Sequence, residues 1–256
     1  MIEVTDLRKT FKLTRQQKKE LGSPARNGTV DAVAGVSFTC TQGRVFSLLG
    51  ANGAGKTTTL RMIATMLQPT SGTIKVAGYD TQNESQEVRR RLGFLTGTTK
   101  LYDRLTPNEM VKYYADLHGM DKETFSQRRE ELFSQLGIHE FASKRVAKLS
   151  TGMKQKVSIA RTLIHDPDVV VFDEPTSGLD VVTARTIIDL IHGFRQQGKT
   201  VIFSTHIMGE VSLLSDDLAI IHNGKLLYSG SYQDFVGQMK TKSLEDEFVK
   251  LVEESS

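Results

Sequence analysis

Short apolar runs alternate along this chain with longer segments in which apolar residues recur every three or four positions. Segments 44–49 and 169–172 are largely apolar, which is typical of strands buried on both faces of a sheet. Segments 56–67, 153–165 and 182–197 show the spacing of helices with one buried face. Buried strands followed by helices predict an α/β fold in which right-handed crossovers join a parallel sheet.

A helix-rich middle interrupts this alternation. Helices are predicted over 107–117, 122–136 and 141–147. Because no buried strand separates them, we interpret residues 97–155, approximately, as an inserted helical subdomain of a main domain that spans 1–230.

The two ends of the main domain carry strand patterns. Strands are predicted at 2–11 and 30–38, and an Asn-Gly pair predicts a hairpin between 218–222 and 225–228. Between the first two strands, segment 12–28 is polar and basic. A solvated surface insertion with a short helix is favoured there over a lipid-contacting patch.

The last residues, 231–256, are predicted to form a helical tail with a helix over 243–254. One face of this helix is apolar, which leaves two interpretations open: packing on its own domain, or contact with a partner. The residues of that face are Leu244, Phe248 and Leu251.

Composition narrows the class of protein. The chain has 256 residues, 38% of them hydrophobic, which suffices for one sizeable domain. Its net charge of +3 is too small to indicate nucleic-acid binding. Its longest apolar runs are far shorter than the roughly 20 residues of a membrane span, and its N-terminus is predicted to be a strand and not a signal peptide. We therefore expect any membrane role to come through a partner.

Residues 50–57 read Gly-Ala-Asn-Gly-Ala-Gly-Lys-Thr, a phosphate-binding loop between a predicted strand and a predicted helix. Its backbone N–H groups would converge on nucleotide phosphates, Lys56 would reach the β- and γ-phosphates, and Thr57 would ligate Mg²⁺. A glycine-rich turn without ligand is the alternative, and the strand-loop-helix context disfavours it. The predicted nucleotide-binding residues are Gly50, Asn52, Gly53, Ala54, Gly55, Lys56, Thr57 and Thr58.

Two acidic residues end the apolar strand at 169–172. In P-loop ATPases the acid at this place holds Mg²⁺, which predicts Asp173 as a second metal ligand. Glu174 would then polarise the attacking water as general base. The alternative is that both acids only cap a turn before Pro175.

Three more motifs follow in a fixed order. Residues 149–153 read Leu-Ser-Thr-Gly-Met, residues 177–180 read Ser-Gly-Leu-Asp, and residues 204–206 read Ser-Thr-His. Together with the phosphate loop, the acidic strand end and Phe11, they resemble the ABC ATPase family, whose signature is usually written Leu-Ser-Gly-Gly-Gln. The resemblance extends over nearly the whole chain.

This resemblance implies a P-loop NTPase (RecA-like) core with a parallel sheet, joined by an antiparallel β subdomain and an inserted α-helical subdomain. It implies ATP and Mg²⁺ as cofactors and ATP hydrolysis as the activity. It also implies a homodimer, because in this family ATP is held between the phosphate loop of one subunit and the signature of the other.

The resemblance assigns roles residue by residue. Ser150 and Gly152 would hold the γ-phosphate of the partner's ATP, and Asp180 would organise the subunit interface. His206 would contact the γ-phosphate and hold Glu174 and the water in place. Phe11 would stack on adenine, with burial in a core as the alternative.

The sequence departs from the family pattern at three positions. Thr151 and Met153 replace glycine and glutamine of the signature, and a left-handed backbone at Thr151 would be strained. Gly97 stands where the family usually has a glutamine. We expect ATP binding to persist and hydrolysis to be slower, or to depend on a partner.

The variant signature, the early insertion and the run at 101–106 resemble a subgroup that includes the NatA-type sodium-efflux ATPases. Its members work with separate integral-membrane permease subunits, on the cytoplasmic face of the inner membrane. Sodium export is thus one expectation, with drug or lipid export as alternatives. A soluble ABC ATPase outside transport and a P-loop kinase are the competing interpretations.

Overall fold

The computed structural model describes residues 1–14, 28–96 and 100–255. Strands and helices alternate over most of this part of the chain. The strands are β1 (Ile2–Lys12), β2 (Thr29–Cys40), β3 (Val45–Leu49), β4 (Ser71–Val76), β5 (Tyr79–Asp80), β6 (Leu92–Thr96), β7 (Val169–Asp173), β8 (Thr200–Thr205), β9 (Asp217–His222) and β10 (Lys225–Ser231). The helices are α1 (Lys56–Ile63), α2 (Ser85–Arg91), α3 (Pro107–Leu117), α4 (Lys122–Leu136), α5 (Thr151–Leu163), α6 (Val181–Gln196), α7 (Met208–Leu214), α8 (Tyr232–Gln238) and α9 (Leu244–Glu254).

The strands form two sheets of different character. The larger has the order β10-β9-β3-β8-β7-β6, and its pairings are parallel except for the β9–β10 hairpin. The smaller, in the order β2-β1-β4-β5, is antiparallel. The α/β fold class, with a parallel core and an antiparallel β subdomain, is therefore confirmed.

Both faces of the large sheet are buried, which explains its continuous apolar runs. In β7, Val170 and Phe172 face one hydrophobic cluster, whereas Val169 and Val171 face another. The first cluster contains the middle helices and α6. The second contains α1 and the small antiparallel sheet, where Phe38 stacks on Phe46 with ring centroids 4.9 Å apart.

The predicted helical middle is present as α3 and α4, which pack against α5. Thr106 caps α3 in a capping box with Glu109, and Pro107 occupies the first turn, as the sequence pattern requires. Apolar side chains of these helices, such as Met110 and Phe133, join the cluster beneath β7 and β8. The boundaries 1–230, 97–155 and 231–256 remain predictions, since a continuous packed core does not define where a unit ends.

The tail helix α9 packs on its own domain. Leu244 is buried beside β9, and Phe248 and Leu251 lie against the same cluster. Glu247, also buried, accepts hydrogen bonds from the backbone N–H groups of Lys240 and Thr241 at 2.8 and 2.9 Å. Of the two interpretations left open for this face, the structure shows the intramolecular one.

Several predicted elements are corrected. Segment 141–147 is not a helix: the chain makes two short 3₁₀ turns, at His139–Phe141 and Val146–Lys148, which leave Phe141 and Val146 buried. Helix α1 ends at Ile63 and does not reach Leu67, because Thr65 adopts a positive φ of 59°. The sequence reasoning missed the short helix α7 and gave no bounds for α8 within the predicted helical tail, because both helices have too few turns for a periodic signal.

Two predictions lie outside the described residues. These are the insertion at 12–28, of which 15–27 are not described, and the alignment of Gly97 with the family's glutamine. The hairpin predicted from Asn223 and Gly224 is confirmed, and both residues have the positive φ of its turn type, 48° and 74°.

Within the described ranges, none of the helices combines the length and the apolar character needed to cross a bilayer.

Two histidines stack where the helical middle meets the core. His118 follows α3 and His165 follows α5, and their rings are nearly parallel with centroids 3.8 Å apart. Burial and the neighbouring His118 lower the pKa of His165 to about 4. Burial also lowers the pKa of His118. The folded protein therefore favours the neutral ring at His165.

This pair predicts acid sensitivity. The unfolded chain titrates near pH 6.5 at His165, so between pH 6.5 and 4 it binds more protons than the folded protein. The free energy of unfolding should therefore be highest above pH 6.5 and fall as the pH drops towards 4. The contribution of His165 to this fall is on the order of 3 kcal/mol. Urea unfolding at a series of pH values measures this.

His165→Gln removes the titrating ring and should flatten the pH dependence between pH 6.5 and 4. His192→Gln is the control, since it removes a histidine outside the pair. An unchanged pH profile in His165→Gln would contradict the assignment.

Candidate functional site

The predicted site residues of the phosphate loop and of two strand ends collect at the carboxyl edge of the parallel sheet. The phosphate loop follows β3, Asp173 ends β7 with Glu174 after it, and His206 follows β8. Because β3, β8 and β7 are parallel neighbours in register, their ends lie side by side. The edge between them forms a cleft of about 160 Å³ lined by Ala32, Asn52, Gly53, Ala54, Gly55, Lys56, Thr57, Thr58 and Glu174.

Two glycines of the loop, Gly50 and Gly55, are fixed by close backbone approach. A Cβ on Gly55 would lie 2.4 Å from the carbonyl oxygen of Ala32, and the residue has a φ of 109°. A Cβ on Gly50 would lie 2.4 Å from the carbonyl oxygen of Ile221. Two neighbouring chain segments thus hold the loop between them, and Gly55 caps α1 so that the helix N-terminus opens into the cleft.

Lys56 is the buried cation of the cleft, with only 4% of its surface exposed. Its Nζ donates to the carbonyl oxygens of Gly50 at 2.7 Å and Ala51 at 3.2 Å, and lies 3.4 Å from Oε1 of Glu174. An ammonium held in this way at a helix N-terminus offers a fixed positive charge to an anionic ligand. The loop therefore fits a nucleotide polyphosphate.

Thr57 and Asp173 meet below the loop. The Thr57 hydroxyl donates to Oδ1 of Asp173 at 2.9 Å, and the Ser204 hydroxyl donates to the same oxygen at 2.8 Å. A hydroxyl and a carboxylate that converge beside a phosphate-binding loop are the oxygen donors that Mg²⁺ takes when it also binds phosphates. These two residues fit the predicted metal site.

Glu174 is held in an unusual backbone conformation. Its φ is +50°, which is unfavourable for a residue with a side chain. The backbone N–H of Glu174 donates to the carbonyl oxygen and the hydroxyl oxygen of Ser204, at 3.2 and 3.1 Å. Its Oε1 lies 3.3 Å from Nδ1 of His206. The strained turn thus directs the carboxylate between Lys56 and His206.

The signature segment begins a helix, as predicted. Ser150 is the N-cap of α5, and its hydroxyl accepts from the backbone N–H of Met153 at 3.3 Å. Thr151 is the first helical residue and is absent from the positive-φ positions of the described chain, so the strain considered for it does not arise. The N-terminus of α5 is therefore available to an anion.

Gly152 makes the contact between the signature and the segment around Asp180. A Cβ on Gly152 would lie 2.9 Å from Oγ1 of Thr183. Asp180 caps α6 by accepting from the backbone N–H and the hydroxyl of Thr183, at 2.9 and 2.8 Å. These bonds, the backbone one first, lower the pKa of Asp180. Gly152 and Asp180, two of the predicted site residues, are thus packed together through Thr183.

Phe11 lies near the end of β1, pairs with Val30 and is 37% exposed. The ammonium of Lys9 lies 5.3 Å from the centroid of its ring. Phe11 does not line the phosphate cleft, and its stacking on adenine remains a prediction. Its partial exposure excludes the alternative of a fully buried core aromatic.

Sequence reasoning missed several residues of the site. Ala32 lines the cleft from β2, and Ser204 fixes both Asp173 and Glu174. Gln155 donates to the carbonyl oxygen of Pro175 at 2.8 Å, which joins the signature helix to the turn after Glu174. Of these residues, only Ser204 could have been found from the sequence, because it lies in the Ser-Thr-His motif at residues 204–206.

Comparisons with known proteins agree with this geometry. The family described as ABC transporter matches residues 33–177. ABC transporter ATP-binding protein NatA of Bacillus subtilis (strain 168) is 41% identical over 245 residues, which cover 95% of each chain.

Solved structures resemble the whole chain. An ATP-binding subunit of an ABC transporter superposes with a TM-score of 0.83 at 28% identity, over 98% of this chain and 99% of that one. A dimeric ATP-binding cassette in a post-hydrolysis state with ADP and phosphate has a TM-score of 0.78 at 25% identity, over 90% of this chain and 98% of that one.

The loop glycines provide a test of the cleft. Gly55→Ala combines a positive φ with a clash against the Ala32 carbonyl, so we expect nucleotide binding to be lost and the protein to be destabilised by several kcal/mol. Gly53→Ala is the matched control: Gly53 has a φ of 81°, but a Cβ there would meet no atom within 4 Å. That variant should lose only about 1–2 kcal/mol. Thermal unfolding and titration with a fluorescent ATP analogue measure both effects, and equal losses would contradict the packing argument.

Proposed function

The chain belongs to the ABC transporter family, and we infer from this premise that it is the ATP-hydrolysing subunit of an exporter. Its ATPase activity follows from the family. Dimerisation, a separate membrane permease and the transported cargo are the further parts of the proposal. The observation that carries it is the convergence of Lys56, Asp173, Glu174 and His206 on one sheet edge.

Substrate binding would begin at the phosphate loop. Backbone N–H groups at the start of α1 and the ammonium of Lys56 neutralise the β- and γ-phosphates. Thr57 and Asp173 would hold Mg²⁺, which supplies charge stabilisation to the transferring phosphoryl group. Phe11 would add an aromatic face for adenine. Asn52, Gly53, Ala54 and Thr58 line the same cleft.

The two acids have different surroundings, which separates their roles. Asp173 is 8% exposed and accepts two hydroxyl hydrogen bonds on one oxygen. Glu174 has a side chain that is 28% exposed, and its Oε1 lies 3.4 Å from Nζ of Lys56 and 3.3 Å from Nδ1 of His206. A carboxylate that reaches solvent and faces the phosphate site can orient and deprotonate a water molecule. We therefore assign the general base to Glu174 and its alignment to His206.

A second copy of the chain would complete the site. Gly152, two residues after Ser150, packs with Asp180 through Thr183, and the residues that follow Asp180 are apolar and exposed: Val181 is 84% and Val182 76% exposed. Exposed apolar side chains beside a polar, functional segment are typical of an interface. The similar cassette that was solved as a dimer with ADP and phosphate supports dimerisation. In the proposed dimer, the α5 N-terminus of one subunit would face the phosphates held by the other.

The membrane partner would dock on the helical middle. Tyr102 and Tyr113 are exposed and meet edge to face, with centroids 6.1 Å apart. With Asp103, Arg104 and Leu105 they line an open groove of about 630 Å³. Aromatic residues and arginine are the side chains enriched at protein interfaces. A helix of a permease is the proposed occupant, which would place the chain on the cytoplasmic face of the inner membrane.

The cargo is selected by the membrane subunit. The resemblance to sodium-efflux ATPases favours Na⁺, and a drug or a lipid is the alternative cargo. Efflux of ²²Na⁺ from vesicles that contain this chain and its membrane subunit separates them: ATP-dependent release of Na⁺ supports the first, and its absence supports the others.

Glu174→Gln tests the catalytic assignment. Loss of the base should lower kcat at least about 100-fold, while ATP binding persists because Lys56 and the loop are unchanged. ATP should also trap the variant as a dimer, because hydrolysis no longer separates the subunits. Steady-state phosphate release and size-exclusion chromatography with ATP measure the two effects. Glu140→Gln, on the surface of the helical middle, is the control. Turnover at the normal rate in Glu174→Gln would refute the assignment.

Tyr102→Ala with Tyr113→Ala tests the docking surface. The double variant should retain its own ATPase activity and lose association with membranes, since the aromatic pair lies outside the cleft. The fraction of the chain that sediments with membranes of the source cells, before and after a salt wash, is the measurement. Val236→Ala, an equally exposed apolar residue on α8, is the control. Unchanged sedimentation of the double variant would exclude this groove as the docking surface.

A further inference from the structure

Glu210 is a buried acid that none of the motifs includes. It lies in the first turn of α7, directly after the segment that contains His206, and only 8% of its surface is exposed. Its two carboxylate oxygens are used by different partners. Oε1 accepts a hydrogen bond from the hydroxyl of Thr176, and Oε2 accepts from the hydroxyl of Thr205 at 2.6 Å.

The two threonines belong to the two catalytic segments. Thr176 lies two residues after Glu174, in the turn that leaves β7. Thr205 is the last residue of β8 and directly precedes His206. Glu210 therefore joins the turn that carries the proposed base to the strand end that carries the proposed switch histidine.

Thr205 extends this connection to the backbone beyond His206. Its hydroxyl donates to Glu210 and accepts from the backbone N–H of Ile207 at 3.0 Å. The residues on both sides of His206 are thus tied to the same hydroxyl. Displacement of the His206 backbone would therefore disturb the bonds of this hydroxyl to Ile207 and Glu210.

The turn around Glu174 needs such support. A non-glycine residue at a φ of +50° is held there only when its surroundings overdetermine the backbone. On one side, Ser204 fixes the backbone N–H of Glu174. On the other side, the turn is held by the bond from Thr176 to Glu210 and by the bond from Gln155 to the carbonyl oxygen of Pro175. Removal of the bond to Glu210 would weaken this hold and favour relaxation of the turn towards a commoner backbone conformation.

A carboxylate at a buried position lowers the stability of the fold unless its interactions compensate for the lost hydration. Burial of a carboxylate against neutral partners carries a desolvation penalty, and an apolar side chain would pack there without it. A carboxylate, however, has two acceptor oxygens in one rigid group, so it can accept hydrogen bonds from two hydroxyls at the same time. Glutamine has one acceptor oxygen and can accept from only one of the two hydroxyls, and aspartate is one methylene shorter.

We propose that Glu210 is a positioning residue for ATP hydrolysis: through the hydroxyls of Thr176 and Thr205 it holds Glu174 and His206 at the distance that catalysis requires. This inference rests on the proposed roles of Glu174 and His206. It assigns no contact between Glu210 and the nucleotide, because Glu210 acts through its two threonines.

Glu210→Gln in the full chain is the first test. Since misplacement of catalytic groups by about 1 Å can lower a rate about 100-fold, kcat should fall between about 10- and 100-fold. KM for ATP and the affinity for a fluorescent ATP analogue should stay within about twofold, because the phosphate loop is untouched. A normal kcat, or a loss that lies entirely in KM, would overturn the proposal.

The threonines supply a second test that keeps the acid in place. Thr176→Val and Thr205→Val have nearly the same shape as threonine but lack the hydroxyl, so each should lower kcat. Thr176→Ser and Thr205→Ser are the matched controls, because they retain the hydroxyl and should retain most of the rate. If the serine and valine variants lost equal activity at equal folded fraction, shape and not hydrogen bonding would be the cause, and the proposal would fail.

A double variant shows whether Glu210 acts through His206. In a His206→Ala background, Glu210→Gln should lower the single-turnover rate only a few fold, because part of what it holds is already lost. An equal loss in both backgrounds contradicts the proposed route. His206→Ala and Glu174→Gln alone test the proposed function: if they leave turnover intact, the assigned roles fail, whatever Glu210→Gln does. If they lower it strongly and Glu210→Gln does not change it, only the inference about Glu210 fails.

Discussion

The parallel pairing of β3, β8 and β7 is the constraint on which the site depends. Ser204 pairs with Leu48 on one side and with Asp173 on the other, so three strands end at the same level. Parallel strands need crossover helices on both faces, which is why these strands are fully buried. Their C-terminal residues are then the first positions that can be polar, and the chemistry is located there.

Charge and neutral hydrogen bonding are separated within this edge. Lys56, Glu174 and His206 form an inner group of charged or ionisable side chains around the cleft. Behind them, hydroxyl groups such as that of Ser204 fix the acids. A hydroxyl can orient a carboxylate without adding a full charge, so the outer contacts set geometry while the inner group keeps the electrostatic balance that an anionic substrate requires.

The sequence predicted the parts of the fold and site whose signals are local. A glycine-rich loop between strand and helix and an acidic strand end each carry their meaning within a few residues, which is why Lys56 and Asp173 could be placed. Ser150 was placed by the resemblance of its motif to the family signature. Glu210 could not be placed, because a lone acid in a seven-residue helix has the same pattern as a solvated one. Its importance depends on Thr176 and Thr205, which the fold brings to it from distant strands.

The failure at 141–147 has a similar physical origin and shows where pattern reasoning ends. Phe141 and Val146 are apolar and five positions apart, which fits neither strict helical spacing nor a strand, and both are buried by two tight turns. Burial alone therefore does not specify backbone conformation. In the phosphate loop the conformation is specified, because the carbonyl oxygens of Ala32 and Ile221 leave no room for a side chain at Gly55 and Gly50. The site was predictable where sterics permit one residue type, and it was not where several residues would fill the same space.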